Sequence, residues 1–318
     1  MDNLKFDLLK ATEQAAIAAF EYAGSGDIFK IDESSTNAMR NQLNKMDFRA
    51  KIVVGEGEKD SMPHLKKGEL VGHATRSGYS YYDWSLATDP TDGSKLLSKN
   101  LHESMSVLAI GKRDCLLPID AHYMSKIAVG QQIASKVQVS LKKSLGENVE
   151  LMKHALGRSP IICVLERPRH ERLIQNLRNL GVKLKLITDC DVSAAICSAM
   201  PDNEVDAYIS VGGCAEGVTS ACAIKALGGY FEGMIVDFKT YYPFEKVTAE
   251  DKVYTMEELA KDRVMFFASG ILNGNLLKGI EKKNNSITVH SIVMDSEIKG
   301  FQRISSTFCY WFNQLIVL

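Results

Sequence analysis

Apolar positions in the first half of the chain predict helices followed by short strands. The stretch 4–23 places its apolar side chains at helical spacing and is followed by glycines, which predicts a helix that ends near residue 23. A second helix is predicted over 34–46. Short apolar runs that lead into polar loops indicate buried strands. The strands predicted in this half lie at 51–54 and 79–88 and, as a hairpin, at 104–110 and 115–119.

After about residue 145 the pattern alternates between strand and helix. Three successive strand–helix units predict an α/β layer, whereas the first half reads as α+β. We therefore expect an α/β protein with an α+β domain over 1–140 and an α/β domain over 141–318. The elements predicted here are strands at 160–165, 183–188, 205–211, 263–269 and 286–293 and helices at 147–156, 168–180, 192–200 and 216–227.

Composition narrows the class of protein. The 318 residues carry a formal net charge of -1, which weighs against a nucleic-acid-binding protein that relies on bulk positive charge but allows a small phosphorylated ligand. The seven cysteines contain no CxxC pair, which argues against a disulfide framework or a zinc site and favours reduced thiols in the cytoplasm. The N-terminus lacks the apolar stretch of a signal peptide, and the apolar tail 308–318 is too short to span a bilayer. We expect no membrane partner and read that tail as a docked strand or helix.

The most specific motif is the hexapeptide DPTDGS at 89–94, which follows an apolar strand. Asp89 and Asp92 stand three residues apart, so their carboxylates can converge on one hard cation, and Ser94 adds a hydroxyl nearby. The composition is also that of an ordinary turn. On this hexapeptide alone the two interpretations are about equally good.

A second acidic motif, GEGEKD at 55–60, directly follows the predicted strand 51–54. Its alternating acids, Glu56, Glu58 and Asp60, would point the same way in an extended loop. Alone, the motif is better explained as a solvated acidic loop.

Two further acids stand where helices begin. Asp32 precedes the second predicted helix and would ordinarily be an N-cap, and Glu216 in the motif GGCAEG would ordinarily interact with a helix dipole. Taken together, however, the four acidic clusters would repel one another unless they converged around metal. An oxygen-only ligand set predicts Mg²⁺ or Mn²⁺ rather than zinc, in a site that handles phosphate.

Cationic and polar groups follow two strands of the second half. Arg167 and Arg169 flank Pro168 after the strand 160–165, and Asp189 and Asp191 follow the strand 183–188. Ligands bind at strand C-termini of open α/β sheets, where paired arginines could hold a phosphate and the aspartates could accept sugar hydroxyls. A surface ion pair with an N-cap at Asp191 is the simpler explanation of these residues alone.

Several motifs in one order carry a resemblance. GEGE, DPTDGS, PRH, DCDV, PDNEVD and GGCAEG closely resemble class II fructose-1,6-bisphosphatases of bacteria, as does the opening stretch from TEQAAIAAFEYAGSGD to DESSTNAMR. DPxDG[ST] alone marks only the wider lithium-sensitive phosphatase superfamily. The resemblance covers residues 10 to about 280 and implies a layered αβαβα sandwich with a divalent metal cluster.

The resemblance also implies residue roles. The implied metal ligands are Asp32, Glu56, Asp89, Asp92 and Glu216. The implied catalytic residues are Asp60, Glu58 and Ser94, which stands where the family commonly has a threonine that orients or activates water. The implied sugar-phosphate contacts are Asp92, Gly93, Ser94, Tyr123, Arg167, Pro168, Arg169, Asp189, Cys190, Asp191 and Gly213.

One departure from the family concerns a lysine that often follows the Gly-Asp of the first loop. Ile28 stands there, and Lys30 lies two positions on. The predicted activity is metal-dependent hydrolysis of fructose 1,6-bisphosphate, with sedoheptulose 1,7-bisphosphate as a close alternative. A catalytically weak sugar-phosphate-binding regulatory protein is the hypothesis that Ile28 motivates. A homodimer or homotetramer is implied by the resemblance alone.

Overall fold

The structure is a computed structural model that describes residues 1–55, 65–72, 81–237, 248, 250–311 and 314–317. It is a mixed α/β fold with two mixed sheets, which confirms the predicted fold class. Its helices are α1 (Lys5–Phe20), α2 (Ile28–Leu43), α3 (Ser94–Ser98), α4 (Gln131–Ala134), α5 (Leu145–Leu156), α6 (Glu171–Asn179), α7 (Asp191–Cys197), α8 (Cys214–Ala226) and α9 (Met256–Leu259), with 3₁₀ turns at Asp2–Leu4 and Pro168–His170.

The strands form one larger and one smaller sheet. They are β1 (Arg49–Val54), β2 (Leu70–Gly72), β3 (Trp84–Asp92), β4 (Ser104–Lys112), β5 (Tyr123–Val129), β6 (Ile161–Leu165), β7 (Lys183–Ile187), β8 (Ala207–Gly213), β9 (Tyr230–Ile235), β10 (Val253–Thr255), β11 (Val264–Leu272), β12 (Glu281–Lys283), β13 (Ser286–Asp295), β14 (Gly300–Trp311) and β15 (Gln314–Val317). The larger sheet runs β15-β14-β13-β11-β4-β3-β1-β2, with β12 beside β13, and the smaller runs β10-β9-β5-β8-β6-β7.

The chain divides into two compact units. The first unit consists of Met1–Leu116, Met265–Asp295 and Phe301–Leu318, and the second of Leu117–Val264 and Ser296–Gly300. The predicted division after residue 140 places the two late segments of the first unit in the second domain instead. Pairing between strands distant in sequence, such as β11 with β4, brings these late segments back to the first unit.

In the first unit, α1 and α2 pack on the larger sheet through a core that includes Leu8, Met39, Ile52, Leu86 and Phe267. The predicted first helix is confirmed as α1. The second helix begins earlier than predicted. Asp27 caps it, because its side chain accepts a hydrogen bond from the Lys30 amide at 3.0 Å. Asp32 therefore lies inside α2, and its interpretation as an N-cap was wrong.

Strand β3 also differs from its prediction, because it continues through Pro90 to Asp92. It lies parallel to β1 and antiparallel to β4, with Ala87 opposite Ala109. The predicted hairpin of 104–110 with 115–119 was wrong, since β4 pairs with β3 and β11 instead. The tail predicted as a docked strand or helix forms the end of β14 together with β15.

In the second unit, β6, β7 and β8 are parallel, and β5 runs antiparallel between β8 and β9. Their carboxyl ends, at Leu165, Ile187 and Gly213, therefore lie at one edge of the smaller sheet, where β5 begins with Tyr123 opposite Gly213. The predicted strand–helix alternation is confirmed. The predicted helix 168–180 is a 3₁₀ turn at Pro168–His170 followed by α6.

Strands β5 and β9 were not predicted.

In the part of the chain that the structure describes, no helix combines the length and apolar character needed to cross a bilayer.

Candidate active site

Two acids of the DPTDGS motif lie at the end of β3. Asp89 is 4% exposed and Asp92 is 6% exposed, so both carboxylates are buried. An Asp89 oxygen accepts a hydrogen bond from the Thr91 amide at 3.0 Å. Gly93 follows with φ +90°, a left-handed conformation that lets the chain turn directly into α3 at Ser94. The motif is therefore a buried strand end that turns sharply at Gly93, so it forms a turn and also places two buried carboxylates at the strand end.

A hydrogen-bonded chain links this strand end to α2. The Thr91 hydroxyl donates to Ser35 Oγ at 2.7 Å, and the Ser35 hydroxyl donates to the Asp32 carbonyl at 3.1 Å. Asp32 is half-buried. The turn of α2 that carries Asp32 is thus tied to the segment that carries Asp89 and Asp92.

The acidic loop GEGEKD contributes only Gly55 to the described structure. Glu56, Glu58 and Asp60 lie outside the described residues, so their predicted roles stay predictions. Within the ranges that the structure describes, no group of three or more His, Cys, Asp or Glu side chains is placed to hold a metal ion. The donors at β3 nevertheless fit a hard divalent cation, since two buried carboxylates on one strand end favour a positive counter-charge.

The first turn of α2 contains Ile28, at the position where the family often has a lysine, and Lys30 two residues later. Ile28 is 36% exposed, and the Lys30 Nζ lies 5.6 Å from the centre of the Tyr22 ring. Lys30 thus lies on an aromatic face in its own unit.

In the second unit, the segment after β6 folds against β8. The Arg169 guanidinium donates from Nε and Nη2 to the Val211 carbonyl at 3.1 Å and 2.8 Å and lies 5.5 Å from the Tyr123 ring centre. Partial burial, together with the charge of Arg167, lowers the pKa of Arg169 from its ordinary value. Arg169 is therefore a cation held at the strand-end edge, and the phosphate contact predicted for it stays a prediction.

Residues 167–170, named the arginine turn here, end in His170, which is fully buried. Its Nε2 accepts a hydrogen bond from the Val211 amide at 2.9 Å and lies 3.2 Å from Ser210 Oγ. Burial and the neighbouring arginines lower its pKa to about 3, so the imidazole is neutral at neutral pH. Sequence reasoning gave His170 no site role, although the motif PRH contains it.

The segment after β7 carries Asp189, Cys190 and Asp191. Cys190 adopts φ 64° and precedes α7 as its N-cap residue, so Asp191 is the first residue of that helix and not its cap. The Arg167 Nη2 lies 3.8 Å from Asp189 Oδ2, and both side chains are partly exposed. The surface ion pair considered as the simpler explanation is therefore present, and exposed pairs of this kind contribute about 0–1 kcal/mol.

Asp191 pairs with a buried lysine that the sequence did not single out. The Lys126 Nζ donates to Asp191 Oδ2 at 2.6 Å, with Lys126 fully buried and Asp191 7% exposed. Burial raises the pKa of the Asp191 carboxyl, and Lys126 opposes that rise. No local signal marks Lys126, because a lysine in a short strand ordinarily faces solvent.

Two adjacent glycines at the end of β8 leave room for carboxylates. A side chain at Gly212 would overlap Asp191 Oδ2, since its Cβ would lie 1.8 Å away. At Gly213 a Cβ would lie 1.9 Å from Glu216 Oε2. Glu216 stands in the first turn of α8, half-buried. The edge of the smaller sheet thus carries Tyr123, the arginine turn, Asp191 and Glu216, and their roles toward a ligand stay predictions.

Comparison of the sequence with known protein families and with curated proteins identifies the family to which the chain is similar. The family profile described as "Bacterial fructose-1,6-bisphosphatase, glpX-encoded" matches residues 2–308. A protein of Thermosynechococcus vestitus, named D-fructose 1,6-bisphosphatase class 2/sedoheptulose 1,7-bisphosphatase, is 35% identical over 332 residues, which cover 94% of each chain. A protein of the same name from Synechocystis sp. is 35% identical over 329 residues, covering 93% of this chain and 94% of its own. With a matched region of this extent around the DPTDGS strand end and the arginine turn, the chain belongs to the bacterial, glpX-encoded fructose-1,6-bisphosphatase family.

Proposed function

We propose that this protein hydrolyses the 1-phosphate of fructose 1,6-bisphosphate and releases fructose 6-phosphate and inorganic phosphate, the step that gluconeogenesis requires. The observation that carries the proposal is the family match over residues 2–308. Two buried aspartates on β3 and Arg169, which binds the Val211 carbonyl of β8, are groups of the kind that such a reaction uses.

A divalent cation, Mg²⁺ or Mn²⁺, is part of the proposal. Carboxylates at five positions would hold it, and two of them, Asp89 and Asp92, are buried in the last four residues of β3. When bound, the cation supplies Lewis acidity toward phosphate oxygens. The proposed ligands are Asp32, Glu56, Asp89, Asp92 and Glu216.

The protein's own side chains would position the substrate and move the proton. Ser94, directly after the left-handed Gly93, would orient the attacking water, and Asp60 with Glu58 would handle its proton. Arg167 and Arg169 would hold the distant phosphate, whose binding energy then serves to position the reacting end.

Contacts to the sugar would come from the same edge of the smaller sheet. Asp189 and Asp191 would accept its hydroxyl groups, next to the ring of Tyr123. The proposed contacts of this edge also include Pro168, Cys190 and Gly213.

A second substrate, sedoheptulose 1,7-bisphosphate, is favoured by the double names of the cyanobacterial relatives. Its reacting end is similar to that of fructose 1,6-bisphosphate. The alternative of a catalytically weak regulatory protein is motivated by Ile28 and by Lys30 lying on the Tyr22 ring. Against it stand Asp89 and Asp92, because a binding protein has no physical need for two buried carboxylates.

We also propose a cytoplasmic homodimer or homotetramer that acts on a small-molecule sugar bisphosphate. Among the residues that the structure describes, no cysteine forms a disulfide, which agrees with a reducing compartment. The oligomeric state rests on the family alone, and light scattering on the purified protein would measure it.

The decisive experiment measures phosphate release from fructose 1,6-bisphosphate with Mg²⁺, with Mn²⁺ and with EDTA. Sedoheptulose 1,7-bisphosphate and inositol 1-phosphate run alongside as competing substrates. We expect metal-dependent turnover of the fructose ester. Folded, metal-bound protein that releases phosphate from none of these esters would contradict the proposal and favour the regulatory alternative.

A further inference from the structure

The buried pair of Lys126 and Asp191 carries an inference about substrate positioning. Lys126 lies in the middle of β5, a central strand of the smaller sheet, opposite Ser210 of β8 and Gly233 of β9. Its side chain is fully buried, and its Nζ donates to Asp191 Oδ2 at 2.6 Å. A buried lysine costs desolvation free energy, so its position here calls for a partner that makes use of its charge.

The groups around Asp191 have opposing effects on the pKa of its carboxyl group. Burial acts against the ionised carboxylate, and so do the charges of Glu216 and Asp189. Lys126 acts in the opposite direction, both by its charge and by its hydrogen bond. Lys126 therefore opposes the rise in the pKa of Asp191 that burial and the neighbouring acids cause, and its hydrogen bond holds the Asp191 side chain in place.

Two glycines make the space in which this pair is held. A Cβ at Gly212 would lie 1.8 Å from Asp191 Oδ2 and 3.1 Å from Lys126 Nζ. A Cβ at Gly217, on α8, would lie 3.4 Å from Lys126 Cε. The end of β8 and the start of α8 thus lie close against the pair, and the absence of side chains at these glycines leaves the space that it fills.

We propose that Lys126 is a positioning residue for the substrate. Its Nζ binds Asp191 Oδ2 and so orients the Asp191 side chain, whose other oxygen, Oδ1, accepts a hydrogen bond from a hydroxyl of the sugar phosphate. The inference rests on the proposed function, which assigns Asp191 to the sugar. Lys126 itself does not touch the substrate and acts only through Asp191. It therefore favours binding of sugar phosphates that carry a hydroxyl group within reach of Asp191.

A double-mutant cycle tests this role. The variants are Lys126→Met, Asp191→Asn and the two combined, and the readouts are KM and kcat for fructose 1,6-bisphosphate and the Kd of fructose 6-phosphate. We expect Lys126→Met to raise KM and Kd by about ten-fold or more, as for the loss of a hydrogen bond to a charged group, with a smaller change in kcat. In the D191N background the same change adds less than roughly two-fold, because Lys126 acts through Asp191.

Controls separate positioning from folding. Lys153→Met removes a partly exposed lysine that pairs with Glu150 at 2.8 Å in the same unit, and it should leave KM unchanged. If K126M alone does not fold, the combined variant, which buries no unpaired charge, is compared with D191N directly. Equal Kd values for those two support the inference, and a further ten-fold loss in the combined variant overturns it.

The inference and the proposed function fail differently. Wild-type protein that neither turns over the bisphosphate nor binds fructose 6-phosphate would overturn the proposed function. Active wild-type protein with an unchanged KM and Kd in folded K126M would overturn the positioning role of Lys126 alone.

Discussion

The side chain of His170 and the backbone of Val211 are joined by a hydrogen bond of 2.9 Å, in which the Val211 amide donates to Nε2. The carbonyl of the same Val211 accepts from Arg169 at 2.8 Å. Two consecutive residues of the arginine turn therefore bind both backbone polar groups of one residue of β8. Because Val211 directly precedes Gly212 and Gly213, this double contact fixes the arginine turn against the strand end where the carboxylates gather.

The orientation of Arg169 should therefore depend on His170. Replacing His170 by Leu removes the acceptor for the Val211 amide and leaves that amide buried without a partner, at a cost of about 1–3 kcal/mol. We expect His170→Leu to lower the free energy of unfolding by that amount and to raise KM for the bisphosphate by about ten-fold. Urea unfolding and steady-state kinetics measure the two effects.

A matched variant, His170→Gln, places an amide oxygen near the position of Nε2 and should retain most of the wild-type KM. An equal KM for the Leu and Gln variants would show that the hydrogen bond to Val211 does not position Arg169.

The pH dependence of stability offers a separate test of His170. An unfolded histidine titrates near its ordinary pKa of 6.5, whereas burial lowers the pKa of folded His170 to about 3. Between these two pH values the unfolded state binds a proton that the folded state does not. The contribution of His170 to the free energy of unfolding is therefore fully present above pH 6.5 and is lost as the pH falls toward 3. Protonation of His170 in the unfolded state should lower the free energy of unfolding by about 2 kcal/mol at pH 5 relative to neutral pH.

Comparing wild type with His170→Gln isolates this contribution, because glutamine does not titrate and the other histidines are common to both proteins. The difference in free energy of unfolding should change between pH 7 and pH 5. A constant difference would mean that His170 titrates normally in the folded protein.

Local sequence patterns predicted the strands of the second unit well. The runs that became β6, β7 and β8 are short, apolar and followed by helical patterns, and each was placed within about two residues of its observed bounds. The arginine turn and the aspartates after β7 were placed at one edge for the same reason. Strand β5 was missed because Lys126 interrupts its apolar pattern, and only burial against Asp191 explains a lysine there.

Two errors in the first unit have separate causes, one in long-range strand pairing and one in the geometry of a helix cap. Residues 115–119 have a strand-like composition, but β4 finds its partners in β3 and, from far along the chain, β11. The start of α2 was placed too late because Asp27, which caps it, is followed by the apolar residues Ile28 and Phe29 rather than by polar ones. Neither pattern contains information about the partner strand or the cap geometry.

The role of Asp92 can be tested with an isosteric change that removes only its charge. Asp92→Asn should reduce phosphate release by more than about 100-fold, because replacing even a hydrogen-bond partner of a metal ligand costs ~10–100-fold. Binding of fructose 6-phosphate should survive in part, since the proposed contacts other than Asp92, Gly93 and Ser94 lie in the second unit and are unchanged. Phosphate-release assays and calorimetric binding measure the two properties.

Asp7→Asn, which removes the charge of an exposed aspartate on α1 in the same unit, is the control and should retain full activity. An Asp92→Asn protein that still releases phosphate at the wild-type rate would remove Asp92 from the proposed metal site.

Two threonines on β3, three residues apart, allow a matched test of the link between β3 and α2. Both are buried, at 1% exposure for Thr88 and 4% for Thr91, but only Thr91 donates to Ser35. Thr88 Oγ1 has no hydrogen-bond partner among the residues that the structure describes. Removing the Thr91 hydroxyl should therefore break a chain that reaches the Asp32 carbonyl, whereas removing that of Thr88 breaks nothing.

We expect Thr91→Val to cost about 1 kcal/mol of stability and to raise the Mg²⁺ concentration for half-maximal activity by about ten-fold, because Asp32 loses its tie to the strand end. Thr88→Val should be neutral or slightly stabilising, since it removes a buried hydroxyl without a partner. Metal titrations of activity and thermal unfolding of both variants measure these effects. Equal metal dependence in the two variants would mean that the chain from Thr91 through Ser35 stabilises the fold without positioning Asp32 for metal.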